Sequence, residues 1–253
     1  MPKTFEAIQK SKRLSLMESN KTSFFDKSVN DKNMASSSQK WEPKYFNQRQ
    51  NLSEILSKIG VLENGNPCRT YHFTSATNKG GTSTILINLV RLMADIYFNK
   101  KVLVIDGNLE QPTLHTAFGL PMTPGLCEAL HEEKKFSDVI HQLKGTPIFI
   151  MTCGQFNEHR FGFDPEFIST FIKKAQNEFQ FIFFDSPPVL TSPLARLWAT
   201  VADASFLIIQ ARNTRWEVAK KTQLLLEDQG AHVKGVILNM IRHTIPANLY
   251  HRI

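Results

Sequence analysis

Cysteine is scarce in this chain. Cys68, Cys127 and Cys153 are the three it has, too few and too scattered for a disulfide framework or a zinc site. They read as reduced core thiols of a cytosolic protein. Long apolar runs are also missing. The longest, such as 181–184 and 206–209, fall far short of the roughly 20 residues that a bilayer-spanning helix needs. No apolar stretch follows the basic residues near the N-terminus, so no secretory signal is expected. No internal repeat is present. His72, His115, His131, His141 and His243 lack metal-ligand spacing, and no metal is assigned to them.

Acidic residues are in deficit, and the net charge is +7. That excess is compatible with nucleic acid, anionic lipid or an acidic partner and does not choose among them. Residues 1–41 hold eight Lys/Arg against four Asp/Glu, so more than half of the net charge sits in one short segment. Such a tail suits either a solvated linker or a peripheral membrane contact.

What is there is the makings of one core with an extension. Hydrophobic residues at 42% and charged residues at 21% fit a globular chain, and 253 residues suffice for one α/β core. Residues 1–41 are rich in Ser, Asn, Lys and Gln and read as flexible, with a short helical piece beginning at Phe5. In the segment 42–66, Leu52, Ile55, Leu56 and Ile59 recur at helical spacing, which predicts a helix over 44–59 ended by Gly65-Asn66-Pro67. From 67 to 253 the pattern is regular. Apolar runs of strand length at 70–75, 102–105, 148–151, 181–184, 206–209 and 233–238 alternate with helical periodicity at 83–98, 165–177 and 217–229. Strands apolar throughout, alternating with helices, predict an α/β fold, a mainly parallel twisted sheet covered by helices on both faces. The nineteen Phe residues belong to that core rather than to a nucleic-acid stacking platform.

The first predicted strand runs into Ser75-Ala76-Thr77-Asn78-Lys79-Gly80-Gly81-Thr82-Ser83-Thr84, followed by an apolar helix. A strand, a glycine-bearing loop and a helix N-terminus can converge backbone N–H groups on an anion, and the helix dipole favours negative charge there. A complete P-loop reads Gly-x-x-x-x-Gly-Lys-Ser/Thr. Gly81 and Ser83 match, whereas Thr82 stands at the lysine, Ala76 stands at the leading glycine and Lys79 lies between them in the loop. The segment therefore reads either as a phosphate loop, with Lys79, Gly80, Gly81, Thr82, Ser83 and Thr84 as its binding residues, or as an ordinary strand–helix turn. Two predicted strands deliver an Asp at their carboxyl ends, Asp106 and Asp185. Ligands of open parallel sheets bind at that edge, where a carboxylate can hold Mg²⁺. An Asp there can equally cap a turn.

Taken together, these segments carry a resemblance. Asp106-Gly107-Asn108-Leu109-Glu110-Gln111-Pro112-Thr113-Leu114-His115 is similar to the Asp-x-Asp-Leu-Arg-x-Pro-x-Leu-His segment of the bacterial tyrosine kinases of capsule and exopolysaccharide synthesis. Pro124-Gly125-Leu126-Cys127-Glu128-Ala129-Leu130 resembles their Gly-Leu-x-x-x-Leu segment, and Asp185-Ser186-Pro187-Pro188 their Walker B ending. Ala202-Asp203-Ala204 and Gly235-Val236-Ile237-Leu238-Asn239 fit in order and spacing, and residues 45–52 resemble the family's ring-assembly helix. The family lies within the ParA/MinD group of deviant P-loop proteins.

The resemblance implies a P-loop NTPase-like domain over 67–253 that binds ATP or ADP with Mg²⁺. Ser83, Asp106 and Asp185 would serve the metal, Asp106 and Asp185 would be the catalytic carboxylates, and Arg212 and Asn239 would lie at the base. It also implies a cytoplasmic protein held at the inner face of the inner membrane by a membrane-spanning co-polymerase or chain-length subunit, with an intact kinase paralogue as a second partner and no nucleic acid. The departures fall on the chemistry: Thr82 for the P-loop Lys, Asn108 for the second Asp, Glu110 for the Arg, Lys44 and Phe46 in the assembly helix, and a tyrosine cluster reduced to Tyr250. A hydrogen bond to a charged group contributes about 1.5–3 kcal/mol, so the missing lysine alone weakens triphosphate binding by about one to two orders of magnitude. Phosphoryl transfer, which depends on positioned charge, suffers more. The expectation is a degenerate, pseudokinase-like regulatory or scaffold subunit. The alternatives are an active autokinase or ATPase with a rearranged loop, in which Lys79 neutralises phosphate and Tyr250 accepts it, and a ParA/MinD-like positioning ATPase.

Overall fold

The computed structural model describes residues 48–65, 69–96, 99–131, 134–157 and 165–241. The chain divides into two units, 1–44 and 45–253, and every described residue falls in the second. The basic N-terminal segment, the piece at Phe5, Lys44, Phe46, Cys68, His243 and Tyr250 lie outside the described residues.

Helix α1 spans Gln48–Gly65, so it runs on past Ile59 and through Gly60 as far as Gly65. Then follow β1 (Thr70–Ser75), α2 (Thr82–Ile96), β2 (Val102–Asp106), α3 (Leu114–Phe118), α4 (Leu126–Leu130) and a 3₁₀ turn at Phe136–Asp138. The rest comprises β3 (Ile140–Gln142), β4 (Ile148–Met151), α5 (Pro165–Glu178), β5 (Phe181–Asp185), α6 (Pro193–Val201), β6 (Ala204–Gln210), α7 (Trp216–Glu227) and β7 (Val233–Asn239). The strands form one sheet in the order β3-β4-β2-β5-β1-β6-β7. All neighbours are parallel except β3, which pairs antiparallel with β4.

Period-two alternation sends each strand's residues to two cores. Tyr71, Phe73, Phe183 and Phe206 face one side, where Leu56 and Ile59 of α1 and Leu86, Leu89 and Met93 of α2 cover them. Their rings stack, with centroids 5.4 Å apart for Tyr71–Phe183 and 5.2 Å for Phe73–Phe206. Leu103, Ile105, Ile182 and Phe184 face the other side, under α4, α5 and α6. The central strands β1, β2 and β5 are buried at every residue. The end strand β7 departs from the expectation of strands covered on both faces. It alternates, leaving Val236 and Leu238 exposed, because among the described residues little packs over its second face.

A histidine sits inside a core layer. His72 on β1 is fully buried, with Nδ1 at 3.1 Å from the Ser205 hydroxyl, and burial lowers its pKa to about 3, so it is neutral. Among the described residues no helix is long and apolar enough to cross a membrane, and no three His, Cys, Asp or Glu side chains cluster as metal ligands.

Candidate nucleotide site

Strands β2, β5 and β1 are adjacent and parallel, so their carboxyl ends open on one crevice. Asp106 and Asp185 stand at the carboxyl ends of β2 and β5, where the sequence places them, and they are register partners. Pairing with a buried neighbour carries each ladder one residue further than the apolar run. The loop after β1 lies beside them and leads into α2, which starts at Thr82.

Asp106 is fully buried and caged. Its carboxylate accepts from the backbone N–H groups of Leu114 (2.9 Å), Thr113 (3.0 Å) and Asn108 (3.3 Å). Burial pushes its pKa up to about 6, against the lowering by those three donors. The Asn108 side chain accepts from the Gln111 N–H at 3.3 Å, so it props the turn that its backbone begins. Gly107 passes through a gap with no room for a side chain. A Cβ there would stand 2.9 Å from the Trp198 indole nitrogen and 3.0 Å from the Asp185 carbonyl. Trp198 donates to the Gly107 carbonyl at 2.9 Å and stacks on Phe184.

Asp185 is the odd member of the pair. It is fully buried, and neither carboxylate oxygen has a hydrogen-bond partner. Burial and then the neighbouring Asp106 charge push its pKa well above the usual carboxylate range. The Ser83 and Thr113 hydroxyls oppose that rise, although neither closes a hydrogen bond onto it. A buried carboxylate without donors is costly unless something cationic completes it. With a hydroxyl at the head of α2 and a second carboxylate alongside, the donor set is all oxygen, which fits Mg²⁺. Thr113 belongs to this cluster and escaped the sequence reading. Its position just before Leu114 in the family-like segment was the available signal.

The loop itself is held in shape by its neighbours. Val189 N–H donates to the Ser75 carbonyl at 2.9 Å, and the Thr74 hydroxyl to the Pro187 carbonyl at 2.7 Å, so the segment after Asp185 is tied to the end of β1. Gly80 packs on Ser75, where a Cβ would come within 2.6 Å of the Ser75 Cβ. Lys79 is exposed and adopts φ 62°, a left-handed conformation that costs an ordinary side chain about 1–2 kcal/mol. Thr82, at the expected lysine position, is buried at 7% exposure, whereas Ser83 is half-buried and Thr84 exposed. Loop, Ser83, Asp106 and Asp185 are thus brought together.

The two expected base-side residues stand differently. Asn239 ends β7 and turns its amide onto the loop, donating to the Gly80 carbonyl at 2.9 Å. Its side-chain oxygen accepts from Met240 N–H at 2.8 Å. Arg212 is exposed in the turn after β6 at φ 67°, a turn tied to β7 by the Ala211 N–H to the Asn239 carbonyl at 2.8 Å. Glu110, at the arginine position, accepts from the Ser192 hydroxyl at 2.8 Å, which explains why Ser192 makes no cap bond to α6.

The tyrosine-protein kinase YwqD of Bacillus subtilis (strain 168) is 30% identical over 203 residues, which cover 78% of this chain and 83% of that protein. The chain belongs to the bacterial tyrosine-kinase family. No protein-family model matches it. The chimerical protein CapA2B2 superposes with a TM-score of 0.69 at 24% identity, over 77% of this chain and 85% of that one. The septum site-determining protein MinD of Pyrococcus horikoshii, solved with Mg-ADP, gives 0.59 at 23% identity over 73% and 76%. The fold is thus the P-loop NTPase-like fold that bacterial tyrosine kinases share with MinD.

Proposed function

We propose that this tyrosine-kinase relative is a catalytically reduced member, a regulatory or scaffold subunit of exopolysaccharide or capsule synthesis and export with weak or absent nucleotide turnover. The observation that carries the reading is Thr82. A buried threonine heads α2 where the family's phosphate-binding lysine belongs, and Asn108 and Glu110 both accept hydrogen bonds within the protein, from Gln111 N–H and the Ser192 hydroxyl. Folding needs are met at these positions and transfer chemistry is not. A fold can outlive the chemistry of its site.

The partner in this reading is a membrane-spanning co-polymerase subunit, which would hold the chain at the inner face of the membrane. The structural relative CapA2B2 is a chimera, which supports a two-component arrangement for that protein. An intact kinase paralogue is a second partner.

The experiment is calorimetric titration of Mg²⁺-ATP and Mg²⁺-ADP into the chain and into Asp185→Ala. The reading expects binding in the high micromolar range or weaker and no phosphate release. Turnover above background that disappears in Asp185→Ala sinks it.

One observation favours a second reading, an ATPase or tyrosine autokinase with a rearranged loop. Asp185 keeps an unpartnered buried carboxylate near Ser83, and Lys79 lies in the loop. Ser83, Asp106 and Asp185 would hold Mg²⁺, which when bound neutralises phosphate charge. Mg²⁺-dependent hydrolysis abolished by Asp106→Ala would establish it.

A further inference from the structure

Away from the carboxylate pair, on the β4 side of the sheet, lies a recess of about 600 Å³ between α4, the 3₁₀ turn and α5. Three of its lining residues are cations, Lys134, Lys135 and Lys174, and three are rings, Phe136, Phe167 and Phe171. The rings form part of the core edge, with Phe136 set edge-on to Phe171 at 5.3 Å, and Phe136 and Phe167 remain half-exposed. The lysines are exposed and, among the described residues, have no ion pair. The one acid in the lining is Asp138, which accepts from the Ser137 hydroxyl at 3.1 Å. Glu132 and Glu133 precede the lysine pair in sequence and lie outside the described residues.

A floor of rings under a rim of cations selects for an apolar anchor flanked by negative charge. We propose that this recess docks an acidic peptide segment of a partner protein, an aromatic or branched aliphatic side chain seated on Phe136, Phe167 and Phe171 with carboxylates paired to Lys134, Lys135 and Lys174. The recess size suits a short segment, being within the usual range for ligand clefts. The site is independent of the nucleotide crevice and does not rest on whether nucleotide is turned over.

The test is panning of a random short-peptide phage library against the whole chain and, in parallel, against Lys134→Gln/Lys135→Gln/Lys174→Gln. The expected result is enrichment of Asp and Glu around Phe, Tyr, Trp or Leu on the unaltered chain, absent on the triple variant. A fluorescein-labelled copy of the leading peptide should bind at least about tenfold more weakly to the triple variant, and more weakly to the unaltered chain as salt is raised. Phe167→Ala should weaken it without changing its salt dependence. Equal thermal midpoints for the chain and the triple variant exclude misfolding as the cause. Enrichment without acids, or equally on both proteins, overturns the proposal. So does lysine-dependent sedimentation with phosphatidylglycerol vesicles when no peptide is enriched, since the recess would then serve a lipid surface.

Discussion

Asn239, the last residue of β7, donates its side-chain amide to the carbonyl of Gly80 in the loop after β1, 159 residues earlier, at 2.9 Å. β7 pairs with β6 and β6 with β1, so the ends of β1 and β7 lie on the same edge of the sheet, with β6 between them. The same amide occupies the space where a Cβ on Gly81 would fall, and Gly81 has φ 88°.

Gly81→Ala should therefore destabilise the chain through both backbone strain and overlap with Asn239, by about 1–3 kcal/mol. Asn239→Ala should cost about 1 kcal/mol for the lost bond. The double variant should cost less than the sum, because removing the amide relieves the overlap. Thermal melts of the four proteins measure the coupling, and strict additivity would refute the latch.

Thr82→Lys restores the family's phosphate-binding side chain at the head of α2. Affinity for Mg²⁺-ATP should rise by about one to two orders of magnitude, the worth of a hydrogen bond to a charged group. Titration calorimetry reads this directly. An unchanged affinity would mean that Lys79 or another group already supplies the charge.

Asp185→Asn removes a buried carboxyl that burial and the Asp106 charge hold against ionisation. The Asp185 pKa is raised in the folded chain, so its contribution to stability is present below the unfolded value near 3.8 and is lost as pH rises through the folded value. Asp106 acts in the same direction between about 4 and 6. His72, lowered to about 3 from 6.5, acts oppositely: its contribution is present above 6.5 and lost as pH falls toward 3. Without Mg²⁺, Asp185→Asn should thus stabilise the chain at pH 8 by about 1–3 kcal/mol and by less at pH 4. The gain should vanish when the unaltered chain is given Mg²⁺-nucleotide, provided the site binds it. Melting curves against pH would show a flat difference if Asp185 were already satisfied.

Lys79→Gly relieves a left-handed lysine. The melting midpoint should rise modestly, for about 1 kcal/mol of strain released. In the catalytically reduced reading nucleotide affinity stays as weak as before. A tenfold loss of affinity would instead assign Lys79 to phosphate.

The alternation of apolar runs and helical periodicity was enough to place six of the seven strands to within two residues at either end, since a parallel strand buried on both faces leaves an unmistakable apolar run. The short edge strand β3, with its half-exposed Ile140 and His141, leaves no such run and was not legible. Nor were α3, α4 and α6, because five to nine residues span too few turns to show a period. Local sequence named the loop, Ser83 and both carboxylates, since the loop and the carboxylates follow strands, and Ser83 opens a helix, whose patterns are local. What only the tertiary structure decided is how they are satisfied: Asp106 caged by three N–H groups, Asp185 left without donors, Trp198 closing over Gly107, and Asn239 reaching back to Gly80. Those relations join residues far apart in the chain through strand order. Periodicity determines which face a residue takes, but strand order determines which neighbour it meets.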